Sequence, residues 1–321
     1  MVNNMTYEEF KRMLENEIRK YLPTEYATAE VSFDELRKLG KTYEAFTVRK
    51  QGQLSTVALD ARRLYDEYLQ KPIKGWIMPE IAGMIQEHEE QFFNPGKFTE
   101  YDYVRTRLFI RLSNADTNSE TLQNVPHRNV EDLAVTYHVM VDGPNPDGLY
   151  SYMINNSMLE QFGVNEEGLF EEAMENSQKL FPVQMNDMCD VLLSGGILPQ
   201  EAGENRMVVM TNQTAVNGAA CLLYPGALEE AAKMIGGDFA VLPSSIHEVI
   251  LLPDNGNIDY DELQQMVAAI NQNVVQPGER LSDHVYKYDS VNHQFSIADT
   301  SEQVISRSNN HNNQALHIDL C

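Results

Sequence analysis

An α+β fold of mostly antiparallel sheets, carrying helices that cover them, is the fold class this 321-residue chain predicts. Two observations predict it. Short apolar runs come in pairs separated by tight turns, which favours antiparallel pairing, and several of these pairs are followed by a segment of helical period. A third observation bounds the size: 42% of the residues are apolar, enough to fill a sizeable core.

The chain opens on a helix. Thr6 and Glu9 form a capping-box pair, and Phe10, Met13, Leu14, Ile18 and Tyr21 recur at helical spacing, so the helix is expected from about Tyr7 to Tyr21. Tyr43 to Arg49 alternates as a strand, Gln51-Gly52-Gln53 turns, Leu54 to Leu59 is a second strand, and Asp60 caps a helix reaching about Leu69. The same strand, turn, strand, helix order recurs at Leu133 to Val141, Asp142 to Gly148, Leu149 to Ile154 and a helix opening near Asn156. It recurs again at Met207 to Thr211, a loop to Asn217-Gly218, Ala219 to Leu223 and a helix from Pro225 to Ile235. A fourth unit reads Phe239 to Leu242, Pro243 to Ser245, Ile246 to Leu252 and a helix that Asp259 caps, running to about Asn271. The four units share no close identity, so internal duplication and the general frequency of hairpins followed by helices both account for them. Pro79 to Gln91 and Asn165 to Leu180 read as further covering helices, with a proline in the first turn and an asparagine cap respectively.

Charge divides the chain unevenly. The net charge is -24, from 24 basic and 48 acidic residues. Residues 1–115 are near neutral, with 17 bases and 18 acids, whereas 116–205 hold only Arg128 and Lys179 against 16 acids. The expected organisation is therefore a near-neutral α+β region over 1–115, an acidic α+β domain over 116–300 and a polar tail over 301–321, too poor in apolar residues to order itself. Such acidity argues against direct binding to nucleic acid or to anionic membrane, and is compatible with a basic protein partner or with plain solvation. No apolar run approaches the roughly 20 residues of a membrane helix, and the first residues lack the basic-then-apolar order of a secretory signal. Three cysteines without a disulfide framework fit a reducing compartment, so a cytoplasmic protein is expected.

Ser244, Ser245, His247 and Glu248, in LPSSIHEVILLP, are the densest group of reactive side-chain types. A nucleophile and a base a few residues apart can meet across a tight turn, so Ser244, Ser245 and His247 are the candidate catalytic set and Glu248 a candidate contact. Against this, the segment has no GxSxG elbow and no evident oxyanion hole or orienting acid, and Pro-Ser-Ser suits a turn in any case. His247-Glu248 does not begin an HExxH motif, because Leu251 stands where its second histidine belongs. No metal or cofactor is expected.

His127 and Arg128 are a candidate anion site, set against an ion pair of Arg128 with Glu131 and Asp132. Asn217 and Tyr224 flank a loop that leads to a helix N-terminus at Gly226, but the loop lacks both the lysine of a phosphate-binding loop and a GxGxxG run. Asp283 beside His284 completes the candidate binding residues, as an Asp-His pair at the mouth of a hairpin.

Several segments together resemble a known family: MTYEEFK, RLSN, PHRNVEDLAV, NGAACLLYPGALEE, LPSSIHEVILLPD and LSDHVYKYD. They are similar to an uncharacterised domain-of-unknown-function family of anaerobic Firmicutes, over Met5 to about Tyr288. A looser similarity, in element order and in His247 to Asp254, is to the YtpQ-like uncharacterised family. The resemblance implies a cytoplasmic bacterial protein and assigns no activity. The leading expectation is a non-enzymatic protein-binding or regulatory module with an acidic face; the alternative is a hydrolase or other small-molecule enzyme with a Ser/His-containing site.

Overall fold

The first helix begins where its capping box places it. The Thr6 hydroxyl accepts the Glu9 N–H while the Glu9 carboxylate accepts the Thr6 N–H at 2.8 Å, and α1 runs over Tyr7–Glu17. A 3-10 turn, Ile18–Tyr21, extends it. The structure is a computed structural model that describes residues 5–38, 41–50, 57–71, 75–92, 97–141, 151–190 and 207–298. The expected turns at 51–53 and 142–148 and the polar tail lie outside the described residues.

Two units divide the chain: Met1–Gly96 with Val141–Pro146, and Lys97–Met140 with Asp147–Cys321. In the first, β1 (Glu30–Lys38), β2 (Lys41–Arg49) and β3 (Ala58–Asp60) form an antiparallel sheet in that order. The Asp60 carboxylate accepts the N–H groups of Arg62 and Arg63 and so starts α2 (Ala61–Gln70); α3 (Ile77–Phe92) follows. Phe10, Leu14 and Ile18 pack with Phe46, Leu64, Ile81 and Ile85 in the core of this unit.

Among the described residues, the second unit holds two sheets. After α4 (Tyr101–Val104), β4 (Leu108–Asn114) pairs along β6 (Leu133–Met140), whose other edge is shared by β5 (His127–Val130) and β7 (Ser151–Met153); α5 (Ser119–Leu122) links β4 to β5. The charge step at residue 115 thus falls within this sheet, between β4 and β5, which pair with opposite edges of β6. Two helices follow, α6 (Asn156–Phe162) and α7 (Glu166–Leu180), each capped by an asparagine side chain. Buried Leu169 and Ala173 of α7 belong to the same core as Leu108, Ile110 and Val135, and the Ser177 hydroxyl accepts the Ile110 N–H at 2.9 Å.

The larger sheet is wholly antiparallel. It is built from β8 (Val183–Asp187), β9 (Val208–Asn212), β10 (Phe239–Leu242), β11 (Val249–Pro253), β12 (Tyr286–Asp289) and β13 (Gln294–Ile297), in the order β13-β12-β10-β11-β9-β8. Helix α8 spans Ala227–Ile235, and α9 spans Tyr260–Asn273 with the Asp259 side chain accepting the Glu262 N–H. The fold is α+β. Among the described residues, no helix is long and apolar enough to cross a membrane.

Three of the four expected units are hairpins followed by helices: β2–β3 with α2, β6–β7 with α6, and β10–β11 with α9. The third is different. Gly218–Leu223 is a 3-10 helix, not a strand, because Asn217 takes a left-handed conformation (φ 55°) and the Ala219 N–H is bound by the Ile246 carbonyl at 3.2 Å. In the fourth, the strand expected from Ile246 starts only at Val249. The residues before it are engaged in that same contact.

Candidate functional site

The sequence-predicted residues sort into separate groups. Asn217 and His247 do meet: the Asn217 N–H donates to His247 Nδ1 at 3.1 Å, and the Thr211 hydroxyl donates to the His247 carbonyl at 2.8 Å. The Ser245 hydroxyl accepts the His247 N–H at 3.0 Å, and the Ser245 N–H donates to the Glu248 carbonyl. Gly218 is required here. A Cβ on it would collide with the Thr211 hydroxyl and the His247 carbonyl, and would stand 2.8 Å from the Asn212 nitrogen.

This geometry decides what His247 can do. A backbone N–H only donates, so Nδ1 is held as an acceptor and the ring proton sits on Nε2, 3.8 Å from a Glu279 carboxylate oxygen. A general base needs an unengaged lone pair within reach of the nucleophile. With Nδ1 bound and Nε2 protonated, His247 has none, and the Ser245 hydroxyl serves the backbone. Ser244 precedes this brace. Tyr224 lies apart: it is buried, with its hydroxyl bonded to Ser177 of α7 and to Cys221, and burial raises its pKa.

Asp132, Ser282, His284 and Tyr286 form a second group. The Asp132 carboxylate accepts the hydroxyls of Ser282 and Tyr286, each at 2.6 Å, and His284 Nδ1 at 3.1 Å. Burial alone pushes the Asp132 carboxyl up, but the donors from Ser282, Tyr286 and His284 hold it below the ordinary carboxylate range. The expected Asp283–His284 pair does not form. Asp283 instead accepts the Asn271 side-chain amide at 2.7 Å. Because the carboxylate, not the imidazole, is the centre of this group, the Ser282 hydroxyl is aligned with Asp132 and not with the His284 ring.

Arg128 is an ion-pair residue, with partners other than those expected. Its guanidinium donates to both Glu166 oxygens at 3.0 and 2.8 Å and to Glu167 at 3.0 Å, and stacks 3.7 Å over the Phe170 ring. Glu131 and Asp132 are unavailable to it, because they make the two-residue turn joining β5 to β6, and Asp132 is held by Ser282. Glu166 also accepts the Tyr137 hydroxyl. His127 Nδ1 lies 3.0 Å from the Val125 carbonyl.

A fourth group was missed in the sequence. Antiparallel register sets Arg111 of β4 opposite Thr136 of β6, and Phe109 opposite His138, so Arg111, Ser113, Thr136 and His138 share one face of the four-stranded sheet, away from its apolar core face. Ser113, Thr136 and His138 are buried. Thr136 Oγ1 lies 3.0 Å from His138 Nε2, and Arg111 Nη2 donates to the Ser151 hydroxyl at 2.6 Å. Burial draws the Arg111 pKa down to about 10, and burial followed by the nearby Arg111 charge holds His138 well below the usual imidazole range.

The chain matches the Family of unknown function (DUF5688) over residues 7–290. It belongs to this family. The DUF5688 match runs from α1 to just past β12 and contains all four groups. No curated protein and no solved structure matches the chain. Among the described residues, no three His, Cys, Asp or Glu side chains are grouped to hold a metal ion.

The polar sheet face of this DUF5688 chain left one trace in the sequence. In Leu108 to Asn114 and Leu133 to Met140, polar residues alternate with apolar ones at Arg111 and Ser113 and at Thr136 and His138. Reading the two runs as partners would have put the four residues together.

Proposed function

We propose that this is a non-enzymatic protein-binding or regulatory module of the bacterial cytoplasm, engaging a basic protein partner through an acidic helix face. The observation that carries the reading is on α7, where Glu167, Glu171 and Glu175 recur at four-residue spacing and are all exposed. Residues four apart lie one above the other on a helix, so the three carboxylates make one negative stripe. Glu167 and Glu175 pair with Arg128 and Lys179, which supports the stripe's geometry without neutralising it, since α7 carries five glutamates and a single lysine. A field of one sign steers an opposite charge towards it and weakens with salt. The motif resemblance to proteins of anaerobic Firmicutes supports the bacterial setting.

The hydrolase alternative is weakened by His247, whose Nδ1 accepts the Asn217 N–H and whose Nε2 therefore carries the ring proton. It would be revived by covalent labelling of Ser244 or Ser245 with a fluorophosphonate.

The test of the binding reading is affinity capture from host extract over a salt series, followed by binding measurements with the purified captured protein. Charge reversal of Glu167, Glu171 and Glu175 to lysine should abolish binding, and a matched reversal of Asp116, Glu230 and Glu262 should leave most of it. Equal loss in both variants would reduce the effect to net charge and sink the assignment to α7.

A further inference from the structure

Arg111 is anomalous in this chain. Acids outnumber bases two to one, 48 to 24, yet among the described residues no carboxylate faces this guanidinium. Its protein contacts are the Ser151 hydroxyl at Nη2 and the Phe109 ring, 5.4 Å from the guanidinium carbon. The contrast with Arg128, held by two glutamates, shows what pairing in the same sheet looks like. Removing an unpaired charge from water costs several kcal/mol, so a fold retains one only where something compensates it.

The donors left over share the same place. Arg111 Nε is sealed from solvent with no acceptor, and so is the hydroxyl of Ser113, two residues along the strand and therefore on the same face. Thr136 stands directly across from Arg111, and His138 is close enough for the Arg111 charge to disfavour its protonation. A neutral imidazole, two hydroxyls and a guanidinium with a vacant N–H form a donor-rich setting, free of carboxylates among the described residues. The ligand chemistry that fits is a group with several acceptor oxygens and negative charge, because guanidinium forks match carboxylate and phosphate geometry.

We infer that Arg111, Ser113, Thr136 and His138 form a buried oxyanion-binding site on the face of the four-stranded sheet, taking the phosphate, sulfate or carboxylate group of a small molecule. Arg111 supplies the charge and the fork, and the Ser113 hydroxyl donates to the bound group's oxygens.

The test uses the full chain and inorganic phosphate, sulfate, acetate and formate as probes, with ionic strength held constant by chloride. Thermal unfolding should shift upward with at least one probe, growing with the logarithm of its concentration as for a ligand of the native state alone. Response to phosphate and sulfate assigns a tetrahedral group, and response to acetate and formate a carboxylate. Arg111→Met should bind that probe at least about 30-fold more weakly by calorimetry, the lower end of what losing one partner of a buried charge pair costs. In probe-free buffer it should be no less stable than wild type, because it removes an uncompensated charge. Arg111→Lys, which keeps the charge without the fork, should retain a weaker shift and serves if the methionine variant fails to fold. No shift of the wild type beyond chloride for any probe would overturn the proposal, as would an undiminished shift in both variants.

Discussion

The His247 carbonyl lies where a Cβ on Gly218 would have to stand, so the loop carrying Asn217 and the segment leading into β11 approach as closely as two backbones can. Gly218 is needed for space and not for an unusual φ, since its neighbour Asn217 makes the left-handed turn. Gly218→Ala is expected to lower stability by about 1–3 kcal/mol, the usual cost of overpacking. Urea denaturation of the variant checks it, and an unchanged midpoint would show that the two backbones part easily.

Asp132→Ala removes the acceptor of three donors at once and should lower stability at neutral pH by about 2–4 kcal/mol, a figure already reduced for the half-exposed His284. The pH dependence has a definite sign. Because the folded carboxyl titrates below its unfolded value of about 3.9, its contribution is fully present above about pH 4 and is lost as the pH falls through the folded value. Wild type and variant should therefore converge in strong acid. A gap that stays constant down that limb would contradict the assignment.

His138 gives the opposite limb. Burial and Arg111 keep it neutral in the fold, whereas unfolded it takes up a proton near pH 6.5. A depressed histidine pKa stabilises the fold fully above that unfolded value and progressively less below it, by up to about 1.4 kcal/mol per pH unit. Denaturation at stepped pH between neutrality and mild acid should show this slope, and His138→Gln should flatten it.

Cys221 is buried, and burial pushes its thiol pKa up to about 12. It should resist alkylation in the native protein at mildly alkaline pH and react at once in denaturant, because the thiolate is the reactive species. Peptide mapping after a brief iodoacetamide pulse measures both. Fast native labelling at Cys221 would mean that the 3-10 helix opens readily.

Helix starts were the most legible part of the fold. The capping box at Thr6 and the caps at Asp60, Asn165 and Asp259 are local chemistry between residues a few positions apart, and each side chain bonds the N–H groups its position requires. Strands were less visible. Glu30 to Lys38 is rich in charge, and Leu108 to Asn114 and Val183 to Asp187 depend on partners far along the chain. Ala219 to Leu223 read as a strand because a wholly apolar run of five has no period to distinguish strand from tight helix.

The candidate residues show the same limit. Ser245 and His247, expected as a nucleophile and base across a tight turn, meet instead through the His247 backbone N–H, which the Ser245 hydroxyl accepts. The partners of Arg128, His284 and Tyr286 lie 38, 152 and 154 residues away and could be found only from the register of the sheets. Arg111 drew no attention because its peculiarity is a missing partner, which a sequence does not display.

The Asp132–Ser282 bond joins residues 150 positions apart, and that separation orders events in time. At synthesis rates of about 5–20 residues per second, roughly 8–30 s pass between the emergence of one partner and the other. The β5–β6 turn needs only its own local register to pair, and in water its carboxylate needs no donor. Ser282, His284 and Tyr286 then arrive as a late clasp on a hairpin already made. A nascent chain stalled in that interval would display a folded hairpin with an open acidic tip, a transient feature that the finished protein hides.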